Sequence, residues 1–418
     1  MIQRNWAGNV AFRPARFHEP TSIAELQQIV AGARRCRVLG TGHSFNTIAD
    51  TPGDLISLRE LPQRIDIDAD AREVTVSAGT RYGDLATALH RAGWALQNLG
   101  SLPHISVGGA VATGTHGSGD GNGNLATQVR AVELVTSSGD VITIGHTDRE
   151  NEFSHCMIAL GSLGLVTALT LRIEPTYDVS QVVYEDVPFD LALAHLDDIF
   201  AAGYSVSLFT TWDRPVVDQV WVKNRAEARR VDHSPTFEGG RLATAPRHPL
   251  PTLSGDTCTT QLGIVGPWHE RLPHFRLDFI PSSGEELQSE YFVHRVEAVA
   301  ALRSLNEIRS VMSPALLVCE LRSVAEDGLS LSPAFSRASM AIHFTWKPDA
   351  AALAPVLRMV EERLAVFGAR PHWGKVFSFD PSYICDQYPR LADMRARVAT
   401  YDPTAKFTND FVAPYLRP

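Results

Sequence analysis

The stretch Arg37-Val-Leu-Gly-Thr-Gly-His-Ser-Phe-Asn46 runs from a short apolar strand into a turn with a glycine on each side of Thr41. Glycine reaches backbone conformations closed to other residues, so such a turn lets successive N–H groups converge on a phosphate. His43 then sits beside whatever the turn binds. The alternative is a solvent-exposed turn with an incidental histidine. A nucleophile elbow is excluded, because Gly42-His-Ser44-Phe-Asn46 ends in Asn where that motif requires Gly.

Outward from this turn, the first third of the chain mixes helix and strand. Upstream, Ser22-Ile-Ala-Glu25 behind Pro20 reads as a capping box, with Ile23, Leu26, Ile29 and Val30 on one helical stripe. Downstream, Glu73-Val-Thr-Val-Ser-Ala alternates as a strand, and a helix follows from about Asp84 to Arg91, closed by Gly93. From Gly100 to Gly123 regular periodicity gives way to Gly, Ser, Thr, Asn and His. So long an irregular segment is more often a binding loop than a plain connection. Strands return at Val129 to Val135, Val141 to Ile144 and Leu165 to Ile173, ending at Pro175. Beyond it, strands such as Ser205 to Thr210 and Gln219 to Lys223, a Pro-rich stretch from Thr244 to Leu253, and helices near Glu297 to Met312 and Ala352 to Phe367 describe a second α+β unit.

At roughly 150 residues per domain, a chain of 418 residues is expected to form two or three domains. Lys+Arg 38 against Asp+Glu 47 gives a net charge of −9, without the basic surplus that nucleic acid requires. Hydrophobic residues at 44% and charged residues at 20% fit a globular protein and exclude disorder or a coiled coil. Cys36, Cys156, Cys258, Cys319 and Cys385 form no Cys-x-x-Cys pair, which points to reduced thiols and a cytoplasmic location. The start of the chain lacks the apolar core of a signal peptide. The most apolar stretch, Ala159 to Leu171, falls short of the ~18 residues that span a bilayer, so no membrane association is expected. No obligate protein partner is evident.

Several motifs fail on inspection. Gly121-Asn-Gly-Asn-Leu-Ala126 matches a dinucleotide fingerprint in form, but no strand precedes it. Asp120-Gly-Asn-Gly-Asn124 lacks the turn Gly and the bidentate Glu of a calcium loop, and His269-Glu270 lacks the spacing of a zinc protease. No metal is expected. Two later stretches carry more. In Val318-Cys-Glu-Leu-Arg-Ser-Val324 the strand period places Glu320 and Arg322 on one face, and in Ala341-Ile-His-Phe-Thr-Trp346 it places His343 and Thr345 opposite Ile342, Phe344 and Trp346. Two half-solvated strands bearing a surface ion pair are the plain reading of these residues alone.

Taken together, the turn 37–46, the glycine-rich segment 100–123, His372-Trp-Gly-Lys375 and Asp402-Pro-x-x-Lys-Phe-x-Asn409 resemble the vanillyl-alcohol-oxidase type of FAD flavoprotein, and within it the alditol (xylitol) oxidases. Trp268-His-Glu-Arg-Leu-Pro-His-Phe-Arg276 and Ser283-Gly-x-Glu-Leu-Gln-Ser-Glu-Tyr291 extend the resemblance over nearly the whole chain. It implies an α+β fold of two domains: an FAD-binding domain over 1–175, a substrate-binding cap over 176–370, and a segment 371–418 that returns to the FAD domain.

By the same resemblance His43 is the residue covalently linked to the flavin. Gly40, Thr41, Gly42 and Ser44 hold the pyrophosphate, and Ser106, Gly109, Val111, Ala112, Val166 and His372 surround the cofactor. Ser101, Glu320, Arg322, Thr345 and Lys375 bind substrate, with Lys375, His343 and Arg322 at the reacting hydroxyl. Gly100 borders the path of O2. The implied reaction oxidises a terminal primary alcohol of a polyol such as xylitol or sorbitol to the aldose and reduces O2 to H2O2. An aldonolactone oxidoreductase, which shares the His-Trp-Gly-Lys motif, is the alternative. A carboxylate at Glu320 argues against acidic substrates, since like charges repel strongly in a dry site.

Overall fold

A computed structural model describes residues 4–147, 150–227, 237, 239–279 and 286–417. Residues Ser283 to Glu285 of the motif quoted above lie outside them. Ser22 caps the helix Ile23–Gly32 by accepting from the Glu25 N–H, and the Glu25 carboxylate accepts in turn from the Thr21 N–H at 2.8 Å. The helix buries Leu26 and Val30. The strand Cys36–Leu39 then pairs parallel with Asp54–Ser57, which also pairs with Arg16–His18. A five-stranded antiparallel sheet follows, in the order Ile65–Asp68, Glu73–Ser77, Leu165–Arg172, Val129–Val135, Val141–Gly145.

Two expectations are corrected. The segment 100–123 is not irregular throughout, because Val107–Thr113 forms a helix ended by Gly114 at φ +72°. Gly108 and Gly109 are poor helix formers and hide its period, yet Val107 and Val111, four apart, are both buried in the core. The helix expected near Glu297 to Met312 is two helices, Ala298–Glu307 and Arg309–Met312, interrupted at Ile308.

A nine-stranded sheet dominates the middle of the chain, antiparallel at each pairing. At its centre Leu316–Val324 pairs with Ser205–Thr210 on one side and Ser339–Trp346 on the other, and Leu287–His294 follows. Leu321, Ile342, Phe344, Trp346, Tyr291 and Val293 pack under the helices Ala298–Glu307 and Ala350–Ala365 in one hydrophobic core. Each such fully buried side chain contributes about 1.5–3 kcal/mol. The alternation that commits these residues to the helices turns Glu320, Arg322, His343, Thr345, Gln288 and Glu290 to the opposite face.

The tail motif Asp402 to Asn409 is scaffold. The Lys406 ammonium donates to the carbonyls of Val30, Ala31 and Ser137, and the Asn409 amide to those of Thr47, Ile48 and Asp50. Arg37, buried in the strand before the glycine turn, donates to Ile48, Leu160, Gly161 and Phe407 oxygens. These bonds close the tail onto the first part of the chain, where Phe407, Val412 and Leu416 join its core.

Candidate active site

The glycine turn and the N-terminal end of the helix Val107–Thr113 face each other, joined by the Ser106 N–H donating to Thr41 Oγ1 at 3.2 Å. They line a cavity of about 370 Å³. Gly40, Thr41, Gly42, His43, Ser44, Ser106, Gly109, Ala112, Val166 and His372 line it. Val111 does not: its side chain packs into the core. Gly42 holds φ +71°, and a Cβ on Gly40 would come within 2.5 Å of Ser106 Oγ, so both positions leave the backbone open to close approach. His43 stacks on Trp6 at 5.3 Å and its Nδ1 lies 3.0 Å from Thr41 Oγ1. Burial, with Lys375 and His104 adding to it, lowers His43 to about 4, so the ring is neutral at pH 7. The glycine turn, the small residues and the helix N-terminus suit FAD.

The same cavity has a polar wall. Register across three strands sets Glu320 opposite His343 and His343 opposite Glu290, with Thr345 opposite Gln288 beside them. Arg322 donates to Glu290 Oε1 at 2.6 Å and to Ser101 Oγ at 3.2 Å, and its Nε lies 3.6 Å from Glu320 Oε1. Lys375 donates to Gln288 Oε1 and sits 4.8 Å from the centre of the Phe45 ring. The turn that presents Lys375 is fastened to the glycine turn: Asn46 donates to the carbonyls of Trp373 and Lys375, and the Phe45 N–H to that of Gly374.

The surface ion pair read from the strands alone is overturned, because Glu320 and Arg322 are 6% and 5% exposed and face the cavity. Burial opposes the charge of Glu320, but Arg322 and His274 outweigh it and hold the carboxyl well below its usual range. Glu290 is held low likewise, chiefly by Arg322 and His116. Burial also lowers His343, which keeps the ring neutral at pH 7. Lys375 is brought down to about 8 by burial, so its ammonium persists at pH 7. The wall thus presents two carboxylates, two cations and a neutral imidazole.

Glu290, His116, His274 and Gln288 line the same cavity and were not singled out from the sequence. Gln288 and Glu290 alternate with Leu287, Ser289, Tyr291 and Val293, the same signal that exposed Glu320 and Arg322. For His274 no such signal exists, since it lies outside regular strands. His248, Pro249, Leu250 and Leu253 bring the Pro-rich stretch to the cavity as well. Gly100 also lines it, with a φ outside the left-handed region, so no turn conformation demands glycine there.

Residues 14–145 match the family described as FAD binding domain, and residues 285–415 that described as D-arabinono-1,4-lactone oxidase. The alditol oxidase of Streptomyces sp. (strain IKD472 / FERM P-14339) is 47% identical over 415 residues, covering 99% of this chain and 98% of that protein. The L-gulono-1,4-lactone dehydrogenase of Mycobacterium tuberculosis (strain CDC 1551 / Oshkosh) is 28% identical over 445 residues, covering 100% of this chain and 99% of the other. Among solved structures, cholesterol oxidase from B. sterolicum has the same fold, with a TM-score of 0.77 at 13% identity over 100% of this chain and 96% of that one. Fold, site and relatives define an FAD-dependent flavoprotein of the vanillyl-alcohol-oxidase type. Within that type the chain belongs to the family of the alditol oxidases.

Proposed function

We propose that the protein oxidises a terminal CH2OH of a polyol such as xylitol or sorbitol to the aldehyde and passes the electrons to O2, giving H2O2. The observation that carries this reading is that Glu320, Arg322, His343, Thr345 and Lys375 line one cavity together with the glycine turn. A polyol offers a hydroxyl on each carbon, and the wall offers both acceptors and donors for them. Bound FAD supplies the acceptor for the hydride. Neutral His343 takes the proton of the reacting hydroxyl, and the Lys375 ammonium stabilises negative charge as it develops. Glu320, Ser101 and Thr345 hold the remaining hydroxyls, and Arg322 keeps Ser101 and the carboxylates in place. Gly100 leaves the approach of O2 open. The free cysteines support a cytoplasmic location.

His43, in the phosphate turn with its ring beside the cavity, is the residue we assign to a covalent flavin link. The match of residues 285–415 to a lactone oxidase family keeps sugar lactones as the comparison substrates. A panel of polyols against aldonolactones, read as H2O2 formed per substrate consumed, tests the assignment. Peroxide released in proportion to xylitol or sorbitol is expected, and turnover of lactones alone would overturn it.

A further inference from the structure

Behind the polar wall lies a buried lysine that the reaction does not touch. Lys223, in the strand Val216–Arg225, is 1% exposed and is not part of the cavity lining. Its Nζ lies 2.6 Å from Leu272 O, 3.0 Å from Pro273 O and 3.2 Å from His274 Nδ1. An ammonium has three donors and no acceptor, and these three neighbours use all of them. The imidazole nitrogen facing it must therefore be the one without a proton. His274 then carries its proton on Nε2, which lies 2.7 Å from Glu320 Oε1. The opposite tautomer would set an N–H against the ammonium and a lone pair against the carboxylate, two repulsive contacts in a dry interior. The approach of Arg322 also falls on Oε1, which leaves Oε2 of Glu320 for a substrate hydroxyl.

We propose that Lys223 is a positioning residue for substrate binding: it locks His274 in the Nε2–H tautomer, and His274 in turn fixes the carboxylate of Glu320 toward the polyol. The inference rests on the polyol reading of the cavity. Among the described residues, few groups face this pair. Glu320 and Arg322 approach from the strand Leu316–Val324, Ser207 Oγ from Ser205–Thr210 at 3.5 Å, and the Cys258 thiol from the loop beside Lys223. The rings of Trp221 and Phe209 pack edge-on to His274. Burial brings Lys223 down to about 7, and burial with the charge of Lys223 brings His274 down to about 4. The lock therefore holds at pH 6, where Lys223 is mostly charged and His274 neutral, and it weakens as pH rises through the titration of Lys223.

The lock acts on binding, so its loss appears in KM while the maximal rate of anaerobic flavin reduction is retained. Lys223→Met should raise KM for xylitol about tenfold at pH 6. The native KM should climb toward that of the variant as pH rises from 6, so that the ratio of the two narrows. His274→Gln supplies an amide that donates to Glu320 and accepts from Lys223, and should keep a low KM, whereas His274→Leu should raise it. A native KM and pH profile in Lys223→Met, or equal KM values in the two His274 variants, would overturn the proposal. If Lys223→Met fails to load FAD, the two His274 variants decide. If xylitol does not reduce the native flavin, the polyol reading has failed, and the lock is read by itself from the imidazole ¹⁵N shifts of His274 in ¹⁵N-histidine-labelled holoprotein, assigned by their absence in His274→Gln. An Nδ1-protonated ring in the native protein at pH 6 contradicts the lock.

Discussion

Arg322 reaches over the strand that carries His343 to donate to Glu290 at 2.6 Å, a closer partner than Glu320 on its own strand at 3.6 Å. Ala341, the residue paired with Arg322, has only a methyl group and leaves that path open. Glu290 thereby becomes the anchor of the wall, with His116 at 2.9 Å on the same oxygen.

Glu290→Gln keeps the volume and removes the charge that Arg322 and His116 share. Arg322 should then turn to Glu320 and withdraw that carboxylate from substrate, lowering kcat/KM for polyols at least about tenfold with FAD still bound. The thermal midpoint should fall too, because a buried guanidinium loses its closest anion. Steady-state kinetics and thermal unfolding on one preparation check both, and a native kcat/KM would remove Glu290 from the account.

Lys375→Met retains a flexible unbranched chain and deletes the charge. Loss of a preorganised charge at a developing anion commonly costs ~10²–10³ in rate, so anaerobic flavin reduction should slow by that order in stopped flow. The native lysine, lowered to about 8 by burial, is charged below that pH and neutral above it. Reduction assisted by the ammonium should therefore weaken as pH rises through about 8, and Lys375→Arg should move that limb upward. A reduction rate in Lys375→Met equal to the native one would place the lysine outside the reaction.

The signals that survived in the sequence were those of local geometry. Period-two alternation exposed Glu320, Arg322, His343 and Thr345, because one face of their strands is pinned by apolar packing beneath two helices. The same rule applies to Gln288 and Glu290, so they were legible in the order of residues. Lys223 and His274 were not, since their meeting depends on a loop folding against a strand some fifty positions away, and nothing local marks a lysine for burial. The helix Val107–Thr113 was hidden by its two glycines, which favour close approach to a ligand over helix formation. The cavity's contribution from His248 to Leu253 likewise depends on tertiary packing.

Gly100 offers a test of the path of O2. A Cβ there would lie 3.6 Å from both His116 O and Thr115 Cγ2, ordinary contact distances, so Gly100→Ala should fold and bind FAD. The methyl group should slow reoxidation by O2 and spare anaerobic reduction by polyol. The two half-reactions measured separately decide, and reoxidation at the native rate would show that O2 arrives by another route.

His43→Ala should release the flavin when the protein is precipitated with acid, whereas the native precipitate should stay yellow. Flavin recovered in the supernatant of the native protein would show that the link is absent.

Anaerobic mixing of the holoprotein with polyol, followed by admission of air, tests the polyol assignment most directly. Xylitol or sorbitol should bleach the flavin at a rate that accounts for turnover, sugar lactones should not, and air should restore the colour with release of H2O2. A flavin bleached by lactones and left oxidised by polyols would contradict it.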